Sequence, residues 1–225
     1  MENNYSRLFR LQQRLDQLES IGQLQTFPSN HLLIKAESQS EKCFIVKSGS
    51  VAAFKQTSSG EELIFFIMEA NSIFAEGMTL FDRLSPVSFK TTSPSSLVVI
   101  KKEPLLKAVK NDSQLLFTLL EVASLKFYTA MDEVSRVKLQ NVPSRVCDLL
   151  ADFAVRYGVS YDGKIMINHK VSIQLLTSML GVNRASVVRA IKSLKDINLL
   201  EYINGYYCLR SLEKLMQHKE LIDSE

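Results

Sequence analysis

The chain has 225 residues, of which 46% are hydrophobic and 23% charged, and its formal net charge is +3. These proportions are typical of a globular protein with one large domain or two modest ones. The sequence contains no run of about 18 apolar residues, so we predict no membrane-spanning helix. The N-terminal segment MENNYSRLFRLQQRL lacks the apolar core of a secretion signal, so we expect a cytoplasmic protein.

Three cysteines, Cys43, Cys147 and Cys208, lie far apart in the sequence. An odd number at wide spacing predicts neither a disulfide framework nor a zinc knuckle. We expect free, buried or half-buried thiols, and a redox-sensing role has little support. The sequence also lacks a recognisable nucleophile–base pair, a set of metal ligands and a phosphate-binding loop, so we expect no enzyme activity.

The first hundred residues change from a helical to a strand-like pattern. Leucines at helical spacing predict an amphipathic helix over residues 5–21. Beyond Phe27-Pro28, short apolar runs alternate with turn residues, and their spacing favours a β-sandwich or a jelly-roll barrel. The strands are predicted at residues 31–35, 43–48, 50–56, 62–69 and 96–101. Glu76-Gly77 predicts a short helical turn, which either presents N–H groups to an anion or plugs the barrel.

From residue 103 to residue 157 the apolar period is helical. Within it, a stripe recurs at alternating steps of four and three, the heptad pattern of helices that pair with a partner: Leu116, Leu120, Ala123, Phe127, Ala130, Val134 and Val137. A homodimer seam is favoured, and packing against the chain's own barrel is the alternative. Pro143 interrupts the pattern, so residues 140–143 are predicted to form a hinge, with Ser144 capping a helix over 145–157.

Residues 171–195 predict two short helices joined by a tight turn at Gly181. Asn183 suits the N-cap of the second helix. Val187, Ile191 and Leu194 form its buried stripe, whereas the basic side chains fall mostly on the other face. A short exposed helix with two arginines near its start is typical of a major-groove reader. An ordinary helical hairpin with a solvated basic face is the alternative.

Positive charge is concentrated around this helix pair. Residues 164–200 carry six basic and one acidic side chain, a net +5, whereas residues 1–163 balance at 18 of each and residues 201–225 carry −2. Phosphate contacts require such a concentration. A strand is predicted over 164–168. Asn204-Gly205 predicts a β-hairpin after the helix pair, which makes a winged variant, and an amphipathic helix over 211–221 ends the chain.

The ordered set of β-roll, long helix, hinge and winged helix-turn-helix resembles the catabolite-activator and fumarate-nitrate-regulator (Crp/Fnr) family of bacterial transcription factors. Three stretches carry the resemblance: FPSNHLLIKAESQSEKCFIVKSGSVAAF with its Gly49, SSGEELIFFIMEANSIFAEGMTLF, and GVNRASVVRAIKSLKDINLL. The resemblance implies an α+β protein. It would have an effector-sensing double-stranded β-helix (jelly roll) of the cyclic-nucleotide-binding type over 1–110, a dimerisation helix over 111–140 and a winged helix-turn-helix domain over 141–225.

The resemblance further implies a homodimer on palindromic double-stranded DNA, with RNA polymerase as another partner. It places Arg184 and Arg189 on guanine edges, and Ser186 on a phosphate. Many members carry glutamate where this sequence has Ala185, so we expect an operator that differs at that base pair. The complete set of expected DNA-binding residues is Ser172, Gln174, Asn183, Arg184, Ala185, Ser186, Arg189 and Lys192.

An effector in the roll is also implied, but the sequence departs from the members that bind cyclic AMP. Glu76 matches their glutamate, whereas Val87-Ser88 stands at the position of their arginine–serine pair, and valine cannot bind a phosphate. No cysteine precedes Cys43 and no histidine lies in the cassette, so neither an iron–sulfur cluster nor haem is expected.

The expected effector is therefore a small organic molecule other than cyclic AMP, such as an aromatic acid, for which the branch that senses halogenated phenolic acids is a precedent. Its expected contacts are Glu76, Thr79, Val87, Ser88, Phe127, Tyr128 and Met131. The apolar lining could include Phe65, Phe74, Phe81 and Phe89, although each is expected more often in a plain core. A ligand-independent regulator and a non-DNA cyclic-nucleotide-type module stay open as alternatives.

Overall fold

The computed structural model of the protein describes residues 18–58 and 60–223. The chain divides into two compact units, residues 1–132 (the first unit) and residues 133–225 (the second unit). The helix predicted over residues 5–21 lies mostly outside the described residues, and its end at 18–20 is helical. Within the described ranges, no helix combines the length and the apolar character needed to span a membrane.

In its described part, the first unit forms two four-stranded antiparallel sheets, in the orders β1-β8-β3-β6 and β2-β7-β4-β5. The strands are β1 Gln23–Phe27, β2 Leu32–Ile34, β3 Lys42–Ser48, β4 Val51–Gln56, β5 Glu62–Met68, β6 Ile73–Phe74, β7 Ser88–Thr91 and β8 Ser95–Lys101. Strand β1 pairs with β8, β2 with β7, β3 with β6, and β4 with β5. A chain folded back on itself and rolled up pairs in this way, which confirms the predicted jelly roll.

The core of the roll joins the two sheets through aromatic rings. The ring of Phe74 stacks between Phe44 and Phe89, with centroid distances of 5.0 Å on both sides. Phe44 and Phe74 come from the first sheet and Phe89 from the second. Gly49 turns the chain at φ +81°, where a Cβ would lie 2.4 Å from the carbonyl oxygen of Pro94. The turn between β3 and β4 therefore requires glycine.

Five strands of the roll were predicted, and three were missed. Strand β1 lies at a sheet edge with exposed side chains, so QLQTF shows no alternating apolar pattern. Strand β6 has two residues, and β7 mixes Ser, Lys and Thr with a single phenylalanine. Pairing with apolar neighbours, rather than local sequence, makes these segments strands. The helical turn predicted after Glu76-Gly77 is present as α1, Glu76–Phe81.

Two helices follow the roll, α2 over Lys102–Asn111 and α3 over Ser113–Leu139. Asp112 separates them, and its Oδ1 accepts hydrogen bonds from the backbone N–H groups of Gln114 and Leu115. The division between the two units falls within α3. One face of α3 packs on the roll core through Leu115, Leu119, Val122 and Leu125. The predicted heptad stripe lies on a neighbouring face, and most of its side chains are exposed.

In its described part, the second unit packs four helices against a sheet of order β11-β12-β10-β9. The elements are α4 Val142–Tyr157, β9 Gly158–Tyr161, β10 Lys164–Ile167, α5 Ile173–Leu180, α6 Arg184–Asp196, β11 Leu200–Ile203, β12 Tyr206–Leu209 and α7 Leu212–Asp223. The hairpin β11–β12 turns at Asn204-Gly205, both at positive φ, as predicted. A second hairpin, β9–β10, turns in the same way at Asp162-Gly163. Its strand β9 was missed, although Asp-Gly is a strong hairpin signal.

The start of α4 corrects one prediction. Asn141, not Ser144, is the N-cap, because its Oδ1 accepts a hydrogen bond from the backbone N–H of Ser144 at 3.0 Å. Pro143 lies in the first turn, where its missing N–H costs nothing. Ser144 is buried inside the helix, and its hydroxyl has no hydrogen-bond partner in the described structure. Only Gln140 and Asn141 therefore separate α3 from α4.

Candidate nucleic-acid interface

The two helices of the predicted DNA-binding pair are both capped by side chains. At the start of α5, Ser172 Oγ accepts a hydrogen bond from the backbone N–H of Leu175 at 3.0 Å. Gly181 ends this helix at φ +64°. At the start of α6, Asn183 Oδ1 accepts from the N–H of Ser186 at 2.9 Å. These caps fix the turn between the helices, and each contributes about 1 kcal/mol.

Helix α6 is strongly two-sided. Val187, Ala190, Ile191 and Leu194 are buried in the core of the second unit. Arg184, Ala185, Arg189 and Lys192 are exposed on the other face, and Ser186 lies half-buried between the faces. Ser172 and Gln174 are exposed at the start of α5. The predicted DNA-binding side chains therefore occur at two capped helix starts that are joined by one turn.

The basic side chains on the exposed face of α6 form no ion pairs within the described residues. Within residues 18–58 and 60–223, no carboxylate forms an ion pair with Arg184, Arg189 or Lys192. Arg189 Nη2 donates to Ser186 Oγ at 3.3 Å, which bends its guanidinium along the helix. By contrast, Lys164 Nζ contacts both carboxylate oxygens of Glu201, at 2.8 and 2.6 Å. Lys164, which was counted in the basic segment, is therefore neutralised locally.

A buried arginine of α4 contacts the C-terminal end of α5. Arg145 on α4 is 8% exposed, and its Nη2 donates to the carbonyl oxygen of Leu180 at 2.8 Å. The same nitrogen lies 3.5 Å from a carboxylate oxygen of Glu133. Leu180 is the last residue of α5, so a positive charge satisfies a free carbonyl at the negative end of that helix. Sequence reasoning missed Arg145, because nothing local distinguishes it from an exposed helical arginine.

The polar residues expected around an effector are mostly engaged within the roll. Glu76 is buried, and its carboxylate lies 2.5 Å from Lys126 Nζ on α3. Lys126 also donates to the carbonyl oxygen of Ile73 at 2.8 Å. Ser88 Oγ accepts from the N–H of Ala36 at 2.9 Å, and Val87 beside it is half-buried. Thr79 is completely buried, and its Oγ1 has no hydrogen-bond partner among the described residues.

The aromatic residues and the methionine considered for an effector pocket separate into an interior group and an exposed group. Phe74 and Phe89 form the interior stack of the roll. Phe65 on β5 and Phe81 at the end of α1 are exposed, Phe81 to 72%. The remaining three, Phe127, Tyr128 and Met131, are exposed on α3. The structure therefore brings Glu76 together with Lys126, but the exposed side chains of this set do not enclose that pair within one chain.

Metal-binding and thiol chemistry have little geometric support. Across residues 18–58 and 60–223, no group of three or more His, Cys, Asp or Glu side chains could hold a metal ion. The three cysteines are free and buried. Burial raises the pKa of Cys43 and Cys147 to about 12 and raises the pKa of Cys208. A thiol in these environments stays protonated and unreactive near neutral pH.

Two family models match this chain. The model described as "Cyclic nucleotide-binding domain" matches residues 24–112, and the model described as "Crp-like helix-turn-helix domain" matches residues 144–218. A relative from Mycobacterium tuberculosis, the CRP-like cAMP-activated global transcriptional regulator, is 22% identical over 166 residues, which cover 73% of this chain and 74% of the relative. The matched domains are the roll and the unit that contains α5 and α6.

Solved structures share the same fold. The c-di-GMP responsive global regulator CLP of Xanthomonas campestris superimposes with a TM-score of 0.76 and 18% identity, over 88% of this chain and 98% of that chain. CprK in complex with OCPA superimposes with a TM-score of 0.69 and 15% identity, over 89% and 92%. At these identities the likeness establishes the fold alone.

Proposed function

We propose that this chain, which belongs to the Crp/Fnr family of DNA-binding transcriptional regulators, acts as a homodimer that reads a palindromic operator under the control of an effector other than cyclic AMP. The observation that carries the DNA-reading part is the unpaired basic face of the capped helix α6. The Crp-family relatives are transcriptional regulators rather than enzymes, in agreement with the sequence analysis.

In this proposal, α6 enters the major groove with its first turns against base edges. Arg184 and Arg189 each offer two parallel N–H donors, which match O6 and N7 of guanine. Ala185 is exposed between them and offers only a methyl group. Ala185 therefore favours an apolar contact, such as one with a thymine methyl group. A glutamate at this position would instead accept a hydrogen bond from the amino group of cytosine.

Selection of preferred sites from random double-stranded DNA tests this reading. We expect an inverted repeat with half-site centres one helical turn apart, about 34–36 Å, because a two-fold symmetric dimer presents two equal reading helices. Ala185→Glu should shift the preference at one symmetric base pair towards cytosine on the contacted strand, by about 1–3 kcal/mol. Selected sites without a repeat, or an unchanged preference in Ala185→Glu, would contradict the proposal.

The exposed stripe on α3 supports the dimer. Leu116, Leu120, Phe127, Val134 and Val137 are apolar, mostly exposed and spaced as in a coiled-coil seam. The neighbouring apolar face of the helix is already buried on the roll. A narrow apolar stripe of this length is unfavourable in water and suits a second copy of the same helix.

A double substitution in this stripe tests the dimer. Leu120 and Phe127 are exposed, so Leu120→Glu with Phe127→Glu should leave the fold of each chain intact. We expect a monomer in sedimentation equilibrium and an operator affinity at least about 100-fold lower, because the two half-sites are no longer linked. Leu24→Glu, at an equally exposed leucine of β1, is the matched control and should stay dimeric. A dimeric double variant would refute this seam.

The effector part of the proposal rests on the roll. Relatives with this fold are named for different ligands, cAMP-activated in one case, c-di-GMP responsive in another and complexed with OCPA in a third. Here Val87 carries no positive charge that could bind a cyclic phosphate. Arg83, four residues before it, is exposed on the surface. Glu76 is occupied by Lys126. These features favour a small organic molecule with an aromatic or apolar body.

A thermal-shift screen with cyclic AMP, other nucleotides and small aromatic acids tests the effector. We expect no stabilisation by cyclic AMP and a rise in the unfolding temperature with one organic acid, which should also change operator affinity. Stabilisation by cyclic AMP would overturn this part, and no response to any compound would favour the ligand-independent alternative. No iron–sulfur cluster or haem belongs to the proposal, and contact with RNA polymerase and a cytoplasmic location stay predictions.

A further inference from the structure

The last turn of α6 carries a lysine outside the predicted DNA-contact set. Lys195 Nζ lies 5.4 Å from the ring centroid of Tyr202 and 5.8 Å from that of Tyr207. Both distances are within the range of cation–π attraction. The two rings pack edge to face, with their centroids 5.0 Å apart. The hairpin β11–β12, here called the wing, therefore contributes two aromatic rings that contact the ammonium group of Lys195.

The register of the wing explains why this pair lies there. Tyr202 and Tyr207 are directly opposite each other, so their side chains share one face of the hairpin. Leu200 and Leu209, two residues further along the same face, are fully buried. Tyr207 is buried too, whereas Tyr202 is 54% exposed. Along this face of the wing, the side chains are buried near the core of the unit, and Tyr202, nearer the tip, is exposed.

Lys195 continues the basic row of α6. It follows Lys192 by three residues, so the two side chains are neighbours on the helix surface. It follows Arg184 by eleven residues, which corresponds to about 16 Å along the helix axis. The N-terminal turns of a recognition helix contact the base edges. Lys195 is in the last turn, so it would lie away from the bases. Among the described residues, Lys195 forms no ion pair.

We propose that Lys195 binds a backbone phosphate of the DNA beside each half-site and that Tyr202 is its positioning residue. This inference rests on the proposed DNA-reading function of α6. The ring faces limit the rotation of the lysine side chain but leave its N–H groups able to donate, so less side-chain entropy is lost when the phosphate is bound. Phosphates are alike at every base pair, so this contact strengthens binding without reading sequence.

Lys195→Met tests the contact, with operator affinity measured at several salt concentrations. Each phosphate contact should contribute about 0.9 to the slope of log affinity against log salt, so the two contacts of a dimer on its operator should contribute about 1.8. The loss of operator affinity should therefore be about 60-fold in 0.1 M salt and about ninefold in 0.3 M salt. It should be equal on the operator and on operators with one changed base pair. Lys195→Arg should restore the slope.

Lys214→Met is the matched control, because it removes one exposed lysine from α7 in the same unit. We expect the wild-type slope for this variant. Lys195 and Tyr202 are exposed, so the variants should fold, and an unchanged unfolding temperature confirms this for each one. A wild-type slope for Lys195→Met, with Arg184→Ala still defective, would overturn this inference and leave the proposed function standing. Absence of sequence-specific binding by the wild-type protein would overturn both.

The positioning role of Tyr202 has its own readout. Tyr202→Leu removes the ring and should weaken binding about two- to fivefold, because more side-chain entropy of Lys195 is then lost on binding the phosphate. Tyr202→Phe keeps the ring and should bind as the wild type does. In a Lys195→Met background, Tyr202→Leu should have no further effect. An equal loss in both backgrounds would show that Tyr202 does not act through Lys195.

Discussion

The roll and helix α6 use their charged side chains in opposite ways. In the first unit, Lys126 is paired with the buried carboxylate of Glu76, and Lys90 on β7 is paired with Glu62 on β5, across the intervening strand β4. On α6, the exposed basic side chains have no acidic partner within the described residues. Charges that are paired inside a chain stabilise its own fold and offer little to an outside ligand. Unpaired surface charges repel one another slightly and attract an anion.

The largest test of this contrast removes the two arginines of α6. Arg184→Ala and Arg189→Ala should each weaken operator binding by about 1–3 kcal/mol, and the double variant by roughly the sum, because each loses a bidentate base contact. Binding to non-specific DNA should fall much less. Titration of operator and random duplexes at one salt concentration measures both. An equal loss on both duplexes would assign the arginines to phosphates instead.

The second test concerns Arg145, a basic side chain of the second unit that is buried and paired rather than exposed and unpaired. Arg145→Met should lower the free energy of unfolding by about 2 kcal/mol, because the carbonyl of Leu180 loses a charged donor. Arg136→Met is the matched control: Arg136 also faces Glu133, but at 3.9 Å and half exposed, so we expect a change of about 0.5 kcal/mol or less. Urea denaturation measures both. Equal effects would show that the Leu180 contact contributes little.

The third test breaks the charge pair of the roll. Glu76→Gln should lower stability by about 1 kcal/mol, because a neutral amide still contacts Lys126 but no longer balances its charge. The exposure of Lys126 keeps the effect small. The salt dependence of operator binding should not change, in contrast to substitutions on α6. A changed salt dependence of operator binding in Glu76→Gln would contradict the contrast between the two regions, because it would show that the paired charges of the first unit also affect DNA binding.

The smallest expected effect is at the thiols. At pH 8 the native protein should react negligibly with a thiol reagent, because burial raises the pKa of Cys43 and Cys147 to about 12. The same shift makes stability fall as the pH rises above 9.0, the ordinary thiol pKa, since only the unfolded chain then releases these protons. All three thiols should react in urea. One fast thiol in the native protein would revive the redox hypothesis.

Local sequence patterns predicted the elements whose cause is local. The cap Asn183, the turn at Gly181 and the hairpin at Asn204-Gly205 depend on a few neighbouring residues, and each occurs as predicted. The hairpin at Asp162-Gly163 had the same signal and was missed. The cap of α4 was predicted at Ser144 instead of Asn141, because both residue types accept the same hydrogen bond and because a proline can either end one helix or stand in the first turn of the next.

The order of the elements, the heptad stripe of α3 and the basic face of α6 could be predicted from the sequence alone, because periodicity and charge are properties of the chain. Which side chains are paired depends on the tertiary structure. Glu76 meets Lys126 fifty residues away, Arg145 meets Leu180, and Lys195 meets the rings of the wing. Such contacts depend on how distant segments pack, which local patterns do not contain. They separate the charges that are paired within the fold from those that stay unpaired on the surface of α6.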